Sequence, residues 1–482
     1  MLEDLIKERR KKLDKIREAG IDPYPARVTR SMDIAEALDQ FGKLSKAKKS
    51  LSLAGRLRSV RDQGKIVFAD IEDGTAKIQL VLKGEEMKDF AFWQSVLDMG
   101  DFISATGTLF ETKRGEKSLE VSKLQMASKS LLPLPDKWSG VEDEELRLRK
   151  RYLDLIATPD LRDLFRKKTE FWATFRDALK EEGFMEVETP VLEGLPGGAE
   201  AEPFKTHHHA LDTDFYLRIS LELPLKRLLV GGFDKVFEIG RIFRNEGIDR
   251  EHLQDYTQME FYWAYADYND VMALIEKIYK AVIKKTVGTM KTTYNEKEID
   301  WSKKWKTIDY VEVFKKANGI DPTEASRDEL FAKAKELKLD AEKNMGKGRL
   351  IDLIFKKTVR PHLIEPSFLI DPPVEIEPLA KRKSLNPKVV ERFQVVAGGT
   401  ELGKGFSELN DPQDQRARFE EQMKLRAAGD NEAQFLDEDF VEALEYGMPP
   451  AGGFGISERL FAVLMDKPVR ECVFFPLMRP KK

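Results

Sequence analysis

Between residues 50 and 127 the chain breaks into five short runs that mix apolar and polar side chains in alternation: "LSLAGRLRSV", "KIVFADIEDG", "TAKIQLVLK", "DFISATGTLF" and "KSLEVSKLQM". Successive side chains of a β-strand point to opposite faces, so each run can give one face to a core and the other to water. "EDGT" is a turn signal between the second and third runs, and a helix-like stretch, "GEEMKDFAFWQSVL", precedes the fourth.

Five short strands with a helix before the fourth fit an OB-fold, a small β-barrel that often binds single-stranded nucleic acid. Its faces follow from parity. Val67, Ala69 and Ile71 share one face, and Phe68 lies on the other with Asp70 and Glu72. In the next run Ile78, Leu80 and Leu82 take the core face and Gln79 points outward. An aromatic ring on the polar face of such a strand is a candidate stacking platform for a base. A single surface phenylalanine is also common.

The rest of the chain is too long for one such barrel. A length of 482 residues suggests two or three domains. The hydrophobic fraction of 41% is enough for real cores, and the charged fraction of 34% implies a heavily charged surface. One cysteine, Cys472, leaves no internal disulfide and no cysteine-based zinc site. No apolar run approaches the roughly 20 residues that span a bilayer, and "MLEDLIKERRKKLDK" lacks the apolar core of a signal peptide. The expectation is a soluble, cytoplasmic protein with no membrane partner. Lys and Arg crowd the first fifty residues in "KERRKKLDKIR" and "KLSKAKKS", which suits either a polyanion such as nucleic acid or a solvated helix face.

Leu2, Leu5, Ile6, Leu13 and Ile16 form an apolar stripe that predicts a helix from residue 2 to about 18, closed by Gly20. The expected division is a helical extension at 1–48, the barrel at 49–130, a proline-bearing linker at 131–158 and a second domain at 159–482. That domain mixes helices and strands without strict alternation, so it reads as α+β around an antiparallel sheet flanked by helices. Residues 164–192 predict a long amphipathic helix with Phe165, Trp172, Phe175 and Leu179 on one side, then a strand interrupted by Pro190. The Lys-rich stretch at about 285–350 reads as a helical insertion.

Within the second domain "VFEIGRIFRNE" and "YTQMEFYWAYAD" form a predicted hairpin. If "FRNEG" continues the first strand, Glu238, Arg244 and Glu246 share one face. Tyr256, Glu260 and Tyr262 share a face of the second strand. That charged side faces either water or a cleft. "GGTELGKGFSELND" adds Glu401, Glu408 and Asp411 among glycines, and "PPAGGFGISERLFAVL" runs from a Gly-rich strand into a helix with Arg459 in its first turn. Helix N-termini favour anions, although this stretch lacks the spacing of a Walker loop. "THHHALD" holds three histidines, but adjacent strand residues alternate, so three in a row do not readily converge on one ion.

Taken in order, "FRNEG", "TQMEFYWAYADY", "GFSELNDPQDQ" and "GGFGISERL" resemble the motif set of class II aminoacyl-tRNA synthetases. "GGAEAEPFKTHHHALDTDFYLRISLELPLKRLLVGG", "PVEIEPLAK" and the "PLPDK" link are similar to the lysyl branch, and the match runs nearly end to end. The resemblance implies activation of L-lysine by ATP and transfer of the lysyl group to the 3′ end of tRNA(Lys), in a homodimer whose interface includes 164–192. It implies that Arg244 and Arg459 are catalytic. Arg244, Glu246, His252, Tyr256, Glu401 and Arg459 would bind ATP. Gly198, Glu222, Arg244, Glu260, Tyr262, Lys404, Phe406 and Glu408 would bind lysine. Mg2+ would sit on Glu401, with Gln394 as a second, weaker ligand. Arg61, Phe68, Gln79 and Glu116 would read the anticodon.

Three positions depart from the family's pattern. Gln394 stands where a metal-binding glutamate is usual, and Lys404 stands where asparagine is usual. "SER" at 457–459 replaces "IDR" while retaining Arg459 and is similar to the aspartyl and asparaginyl relatives, whose substrates would require a cation instead of carboxylates. A paralogue that lysylates a protein, or a non-catalytic tRNA-binding one, would account for the departures differently. The intact barrel opposes the first, and Arg244, Glu246 and Arg459 oppose the second.

Overall fold

The computed structural model describes residues 2–134, 143–247, 252–430 and 432–480. These fall into two compact units, Met1–Glu142 and Asp143–Lys482.

In the first unit the five predicted runs are strands β1 (Ser50–Asp62), β2 (Ile66–Glu72), β3 (Lys77–Lys83), β4 (Phe102–Glu111) and β5 (Lys117–Ser128). They close into a barrel in the order β1-β2-β3-β5-β4. The expected helix before β4 is shorter than its apolar pattern, covering Phe90–Val96. Val67, Ala69, Ile71, Ile78, Leu80 and Leu82 are all buried in the barrel core, as parity required. The N-terminal helix spans Leu2–Glu18, but its stripe is only partly used. Leu2 and Leu5 are exposed, while Arg9, Leu13 and Ile16 are buried. Arg9 takes an apolar-looking position because its guanidinium donates to the carbonyls of Met99 (2.9 Å) and Leu132 (3.0 Å). Ile16, Ile34, Ala37, Phe41 and Leu44 share one core with the barrel strands, so the extension at 1–48 is packed as part of this unit.

The second unit already includes Glu144–Arg149 and Arg151–Ala157 as short helices, where a linker to residue 158 was expected. The rest of that link, 135–142, lies outside the described residues. The long helix covers Pro159–Glu181 and buries Phe165, Phe171, Phe175 and Leu179. The central sheet has eight strands: β6 (Met185–Glu186), β7 (Lys235–Phe243), β8 (Asp255–Ala264), β9 (Lys306–Asp309), β10 (Ser367–Ile370), β11 (Arg392–Ala397), β12 (Thr400–Ser407) and β13 (Ala451–Ser457). Their order is β9-β10-β11-β12-β13-β8-β7-β6. All pairs are antiparallel except β9 with β10 and β7 with β6, at the two edges. The helix Tyr268–Val287 packs on this sheet through a core that includes Phe261, Tyr279, Phe393 and Phe454.

The stretch expected to be a helical insertion begins instead with strands. Lys291–Tyr294 and Lys297–Asp300 form a hairpin, and β9 joins the central sheet. Here Thr292 and Ile299 pair across the hairpin and are buried together, with Trp301 buried just beyond, which overrides the Lys-rich composition. Helices follow at Tyr310–Asn318, Arg327–Glu336 and Lys347–Thr358 around their own core of Phe314, Leu330, Leu350 and Phe355.

Candidate active site

The middle of the central sheet forms the floor of a cavity of about 720 Å³. Strands β8, β11, β12 and β13 and the helices Glu222–Val230 and Lys347–Thr358 supply its walls. Its two ends carry opposite charge.

The acidic end holds Glu222, Glu260 and Glu408, each at most 4% exposed. Glu260 is fully engaged. Its Oε1 accepts from Ser220 Oγ (2.8 Å), the Leu221 amide (3.1 Å) and Gln258 Nε2, and its Oε2 accepts from Tyr262 Oη (2.8 Å). Glu222 and Glu408 share one ammonium, that of Lys226, which lies 2.6 Å from Glu222 Oε1 and forms an ion pair with Glu408. Lys226 also faces the rings of Phe406 (5.2 Å), Tyr262 (6.0 Å) and Phe440 (6.0 Å). Burial pushes Glu222 up to about 7 and Glu408 well above the carboxylate range, against the opposing pull of Lys226. Burial disfavours the Lys226 ammonium, but the two carboxylates outweigh it and hold its proton more tightly than usual. One ammonium thus serves two buried carboxyl groups, and a second cation entering the site would favour ionisation of both.

Glycines keep this end open. Gly453 is paired with Tyr262 on one side and Phe406 on the other. A methyl group there would lie 2.5 Å from Tyr262 Cε1 and collide with Glu408 Oε1. Gly198 has φ +80, and a Cβ there would press on Ser220 and Glu222.

The basic end holds Arg244, Arg360, Arg392, Lys404 and Arg459. "FRNEG" is not strand throughout: β7 stops at Phe243, and Arg244–Gly247 form the connection beyond it. The Asn245 amide donates to Glu202 O (2.7 Å) rather than to β8, so the parity argument does not extend to Glu246. Arg244 still lines the cavity, with its guanidinium 5.8 Å from the Tyr256 ring and its Nε donating to Ile219 O (3.2 Å). Glu246 is not on the wall, although its charge reaches Tyr256, whose hydroxyl is pushed up mainly by burial. Gln254 Nε2 donates to Gly247 O (3.0 Å) and closes the ends of the connecting loop. His252 and Tyr256 line the same wall, and the loop residues 248–251 lie outside the described residues. Glu238 pairs across the strands with Glu260 and keeps the expected face, but it is buried with Arg218 (2.6 Å) and does not line the cavity.

Arg459 opens the helix Arg459–Leu464 at the end of β13, and its buried Nε has no hydrogen-bond partner. The preceding Glu458 serves the scaffold, bonded to Lys168 Nζ (2.8 Å) and accepting from the Thr257 amide (3.1 Å). Gln394 and Lys404 are direct neighbours across β11 and β12. Gln394 Nε2 donates to Glu401 Oε2 (2.8 Å). Lys404 Nζ lies 2.8 Å from Glu377 Oε2, which also takes Arg392 Nε at 3.3 Å. Burial alone would raise Glu401 and Glu377. The surrounding arginines and Lys404 outweigh it and hold both below the carboxylate range.

Among the described residues no three acids, histidines or cysteines converge on a metal-sized point, the three-histidine run included. Glu401 is one carboxylate beside an amide and four cations. That donor set suits an ion carried mainly on substrate phosphates and does not suit one held by the protein alone.

The structure thus brings together Gly198, Glu222, Arg244, His252, Tyr256, Glu260, Tyr262, Gln394, Glu401, Lys404, Phe406 and Arg459 on one cavity, with Glu408 directly behind Gly453. Sequence reasoning missed Lys226, Glu377, Arg392 and Arg360. Glu222 and Lys226 stand four apart on one helix, a spacing that signals an ion pair. Glu377, Arg392 and Arg360 come from separate elements, and nothing local marks them.

On the barrel, Phe68 pairs with Arg61 and Val81, and Gln79 pairs with Asp70 and Ser118. Phe68 and Gln79 are half-buried on the outer face, with Arg61 exposed beside Phe68. Ser118 Oγ lies within hydrogen-bond distance of Gln79 Oε1 (3.1 Å) and Glu116 O (3.2 Å), which brings exposed Glu116 to the same surface.

Comparison with known families agrees with both units. Residues 143–479 match the model of class II tRNA synthetases of the D, K and N group, and residues 51–127 match the OB-fold nucleic acid binding domain. The chain is 45% identical to the lysine–tRNA ligase of Carboxydothermus hydrogenoformans, over 100% of this chain and 99% of that protein. It is 47% identical to that of Moorella thermoacetica, over 99% and 98%, and 45% identical to that of Clostridium perfringens, over 98% and 96%. The chain belongs to the class II lysyl-tRNA synthetases. The family accounts for the division of labour between the units, with an OB-fold barrel ahead of a catalytic sheet. No helix among the described residues is long and apolar enough to cross a membrane.

Proposed function

We propose that the chain activates L-lysine with ATP, releasing pyrophosphate, and then transfers the lysyl group to the 3′ end of tRNA(Lys) in the cytoplasm. The observation that carries this reading is the acidic end of the cavity. Glu222 and Glu408 hold one resident ammonium between them, and Gly453, having no side chain, lets Glu408 and Tyr262 close in on its backbone at this end. An ammonium side chain entering there meets a buried carboxylate, and its aliphatic stem meets Phe406. An uncharged isostere leaves that carboxylate unpaired, which supports selection of lysine. The carboxyl group of the substrate then lies toward Arg244.

Activation is attack of a weakly nucleophilic carboxylate on the α-phosphate, which depends on positioning and charge stabilisation. Arg244 holds the α-phosphate and the substrate carboxylate, Tyr256 stacks on the adenine ring, and Arg459 covers its other face and reaches the terminal phosphate. His252 and Glu246 flank the nucleotide. Glu401, oriented by Gln394, would give one oxygen to a Mg2+ ion, which would supply charge neutralisation at the phosphates. Lysine-dependent ATP–pyrophosphate exchange, run against all twenty amino acids, tests the reading. Exchange is expected with lysine alone, and stronger exchange with aspartate or asparagine overturns it.

Phe68, Gln79, Arg61 and Glu116 form the anticodon-reading surface of the barrel, with Phe68 as the stacking platform. Loss of one base–aromatic stack weakens binding by about 1–3 kcal/mol. Phe68→Ala is therefore expected to reduce kcat/KM for tRNA charging by about 10- to 100-fold while lysine-dependent exchange stays unchanged. Equal loss in both assays removes the barrel assignment. Met185, Val191 and Leu192 are exposed apolar side chains just after the long helix, and they support a homodimer interface there.

A further inference from the structure

The basic end of the cavity carries more charge than its own residues use. Four cations, Arg360, Arg392, Lys404 and Arg459, surround Glu401. Two carboxylates, Glu377 and Glu401, lie among them and a third acid, Glu200, faces Lys404, so the cations outnumber the acids. The nearby acid Asp352 is already paired with Lys356 (2.5 Å). Arg392 and Lys404 both lean on Glu377. Arg360 has no such partner: its Nε is buried and makes no hydrogen bond, although the side chain lines the cavity. A buried donor without an acceptor is costly, so this position suits a ligand that brings acceptor oxygens.

Arg360 is fixed there by its neighbours. It follows Val359, which is buried in the core of the helical insertion, and it begins the short turn Arg360–His362, whose Pro361 restricts the backbone. The guanidinium is therefore carried to the cavity by the insertion and not by the motif strands. Gln394 is a neutral amide directly across from Lys404, so it adds no negative charge to an anion's path.

We propose that Arg360, backed by Lys404 and Arg392, binds the pyrophosphate leaving group. This rests on the reading of the cavity as a lysine-activating site. In activation, an oxygen of the lysine carboxylate forms a bond to the α-phosphorus, and the bond from that phosphorus to the α–β bridging oxygen breaks. The bridging oxygen keeps the electron pair and leaves as part of pyrophosphate, with no proton transfer required. The charge that develops on that oxygen and on the β- and γ-phosphates falls where the fixed cations are in excess. Fixed side chains here neutralise that charge. A preorganised guanidinium does so without reorganising during the reaction.

The test is calorimetric titration of inorganic pyrophosphate into the full-length protein, with and without Mg2+, alongside exchange kinetics. Arg360→Met is expected to weaken pyrophosphate binding at least about tenfold in both conditions while the KM for lysine stays within about twofold, since one charge-assisted hydrogen-bonding partner contributes about 1.5–3 kcal/mol. Arg360→Lys is expected to recover part of the loss. Arg360→Gln keeps a polar side chain and gives the same reading if methionine perturbs folding. Unchanged pyrophosphate affinity in the folded variants overturns the proposal, as does a wild-type protein that binds no pyrophosphate. If wild-type protein binds pyrophosphate through Arg360 but shows no lysine-dependent exchange, the lysine reading fails and the anion site stands.

Discussion

Gly453→Ala raises the KM for lysine by about 100-fold and leaves ATP affinity unchanged. The added methyl enters the space between Glu408 and Tyr262, at the acidic end of the cavity. Neither neighbour can retreat. Glu408 is ion-paired with Lys226, and the Tyr262 hydroxyl donates to Glu260 at 2.8 Å. The backbone cannot move away either, because Gly453 lies in the middle of the sheet between β8 and β12. Overpacking a fixed site costs about 1–3 kcal/mol, which in binding is about 10- to 200-fold. The nucleotide-facing arginines do not touch this position, so titration with a non-hydrolysable ATP analogue should match wild type. A KM within threefold of wild type would place the lysine side chain elsewhere in the cavity.

The second large effect concerns Lys226, whose ammonium is fully buried between Glu222 and Glu408. Lys226→Met leaves two buried carboxyl groups without a cation. Breaking a buried pair in this way costs about 3–5 kcal/mol. The cost should depend on pH with a definite sign. Burial already pushes Glu222 up to about 7, above the ordinary carboxylate value of an unfolded chain. A carboxyl group raised in the folded state favours folding below its unfolded pKa and loses that contribution as pH rises through the folded one. Without Lys226 both carboxyls rise further. The variant is therefore expected to unfold at markedly lower denaturant than wild type at pH 8 and to approach wild type near pH 5, where both groups take up protons. Denaturant titrations at the two pH values measure this. Equal losses at both would mean that the pair is not ionised in the folded protein.

These two residues mark how far local sequence reaches. Parity within β2 and β3 placed Val67, Ala69 and Ile71 inside and Phe68 and Gln79 outside, because a strand's alternation needs no information from elsewhere. The same parity failed at Glu246, where the chain leaves β7 after Phe243 and the Asn245 amide finds its partner, Glu202 O, outside the hairpin. Composition misled at 291–309, where lysines occupy the exposed positions of strands that bury Thr292 and Ile299. The motif resemblance named Arg244, Glu260, Glu401, Phe406 and Arg459 on the cavity wall, since each motif carries its residues on one contiguous element.

The sequence alone determined the barrel, its two faces, the long amphipathic helix and the family. Periodicity and contiguous motifs are properties of single segments. Only the tertiary structure decided the charge balance of the site. Lys226 neutralises Glu222 from the same helix but Glu408 from just beyond β12, far along the chain, and Glu377 gathers Arg392 and Lys404 from two neighbouring strands. Coulomb energy depends on distance and burial, and both are fixed only when separate segments pack against one another.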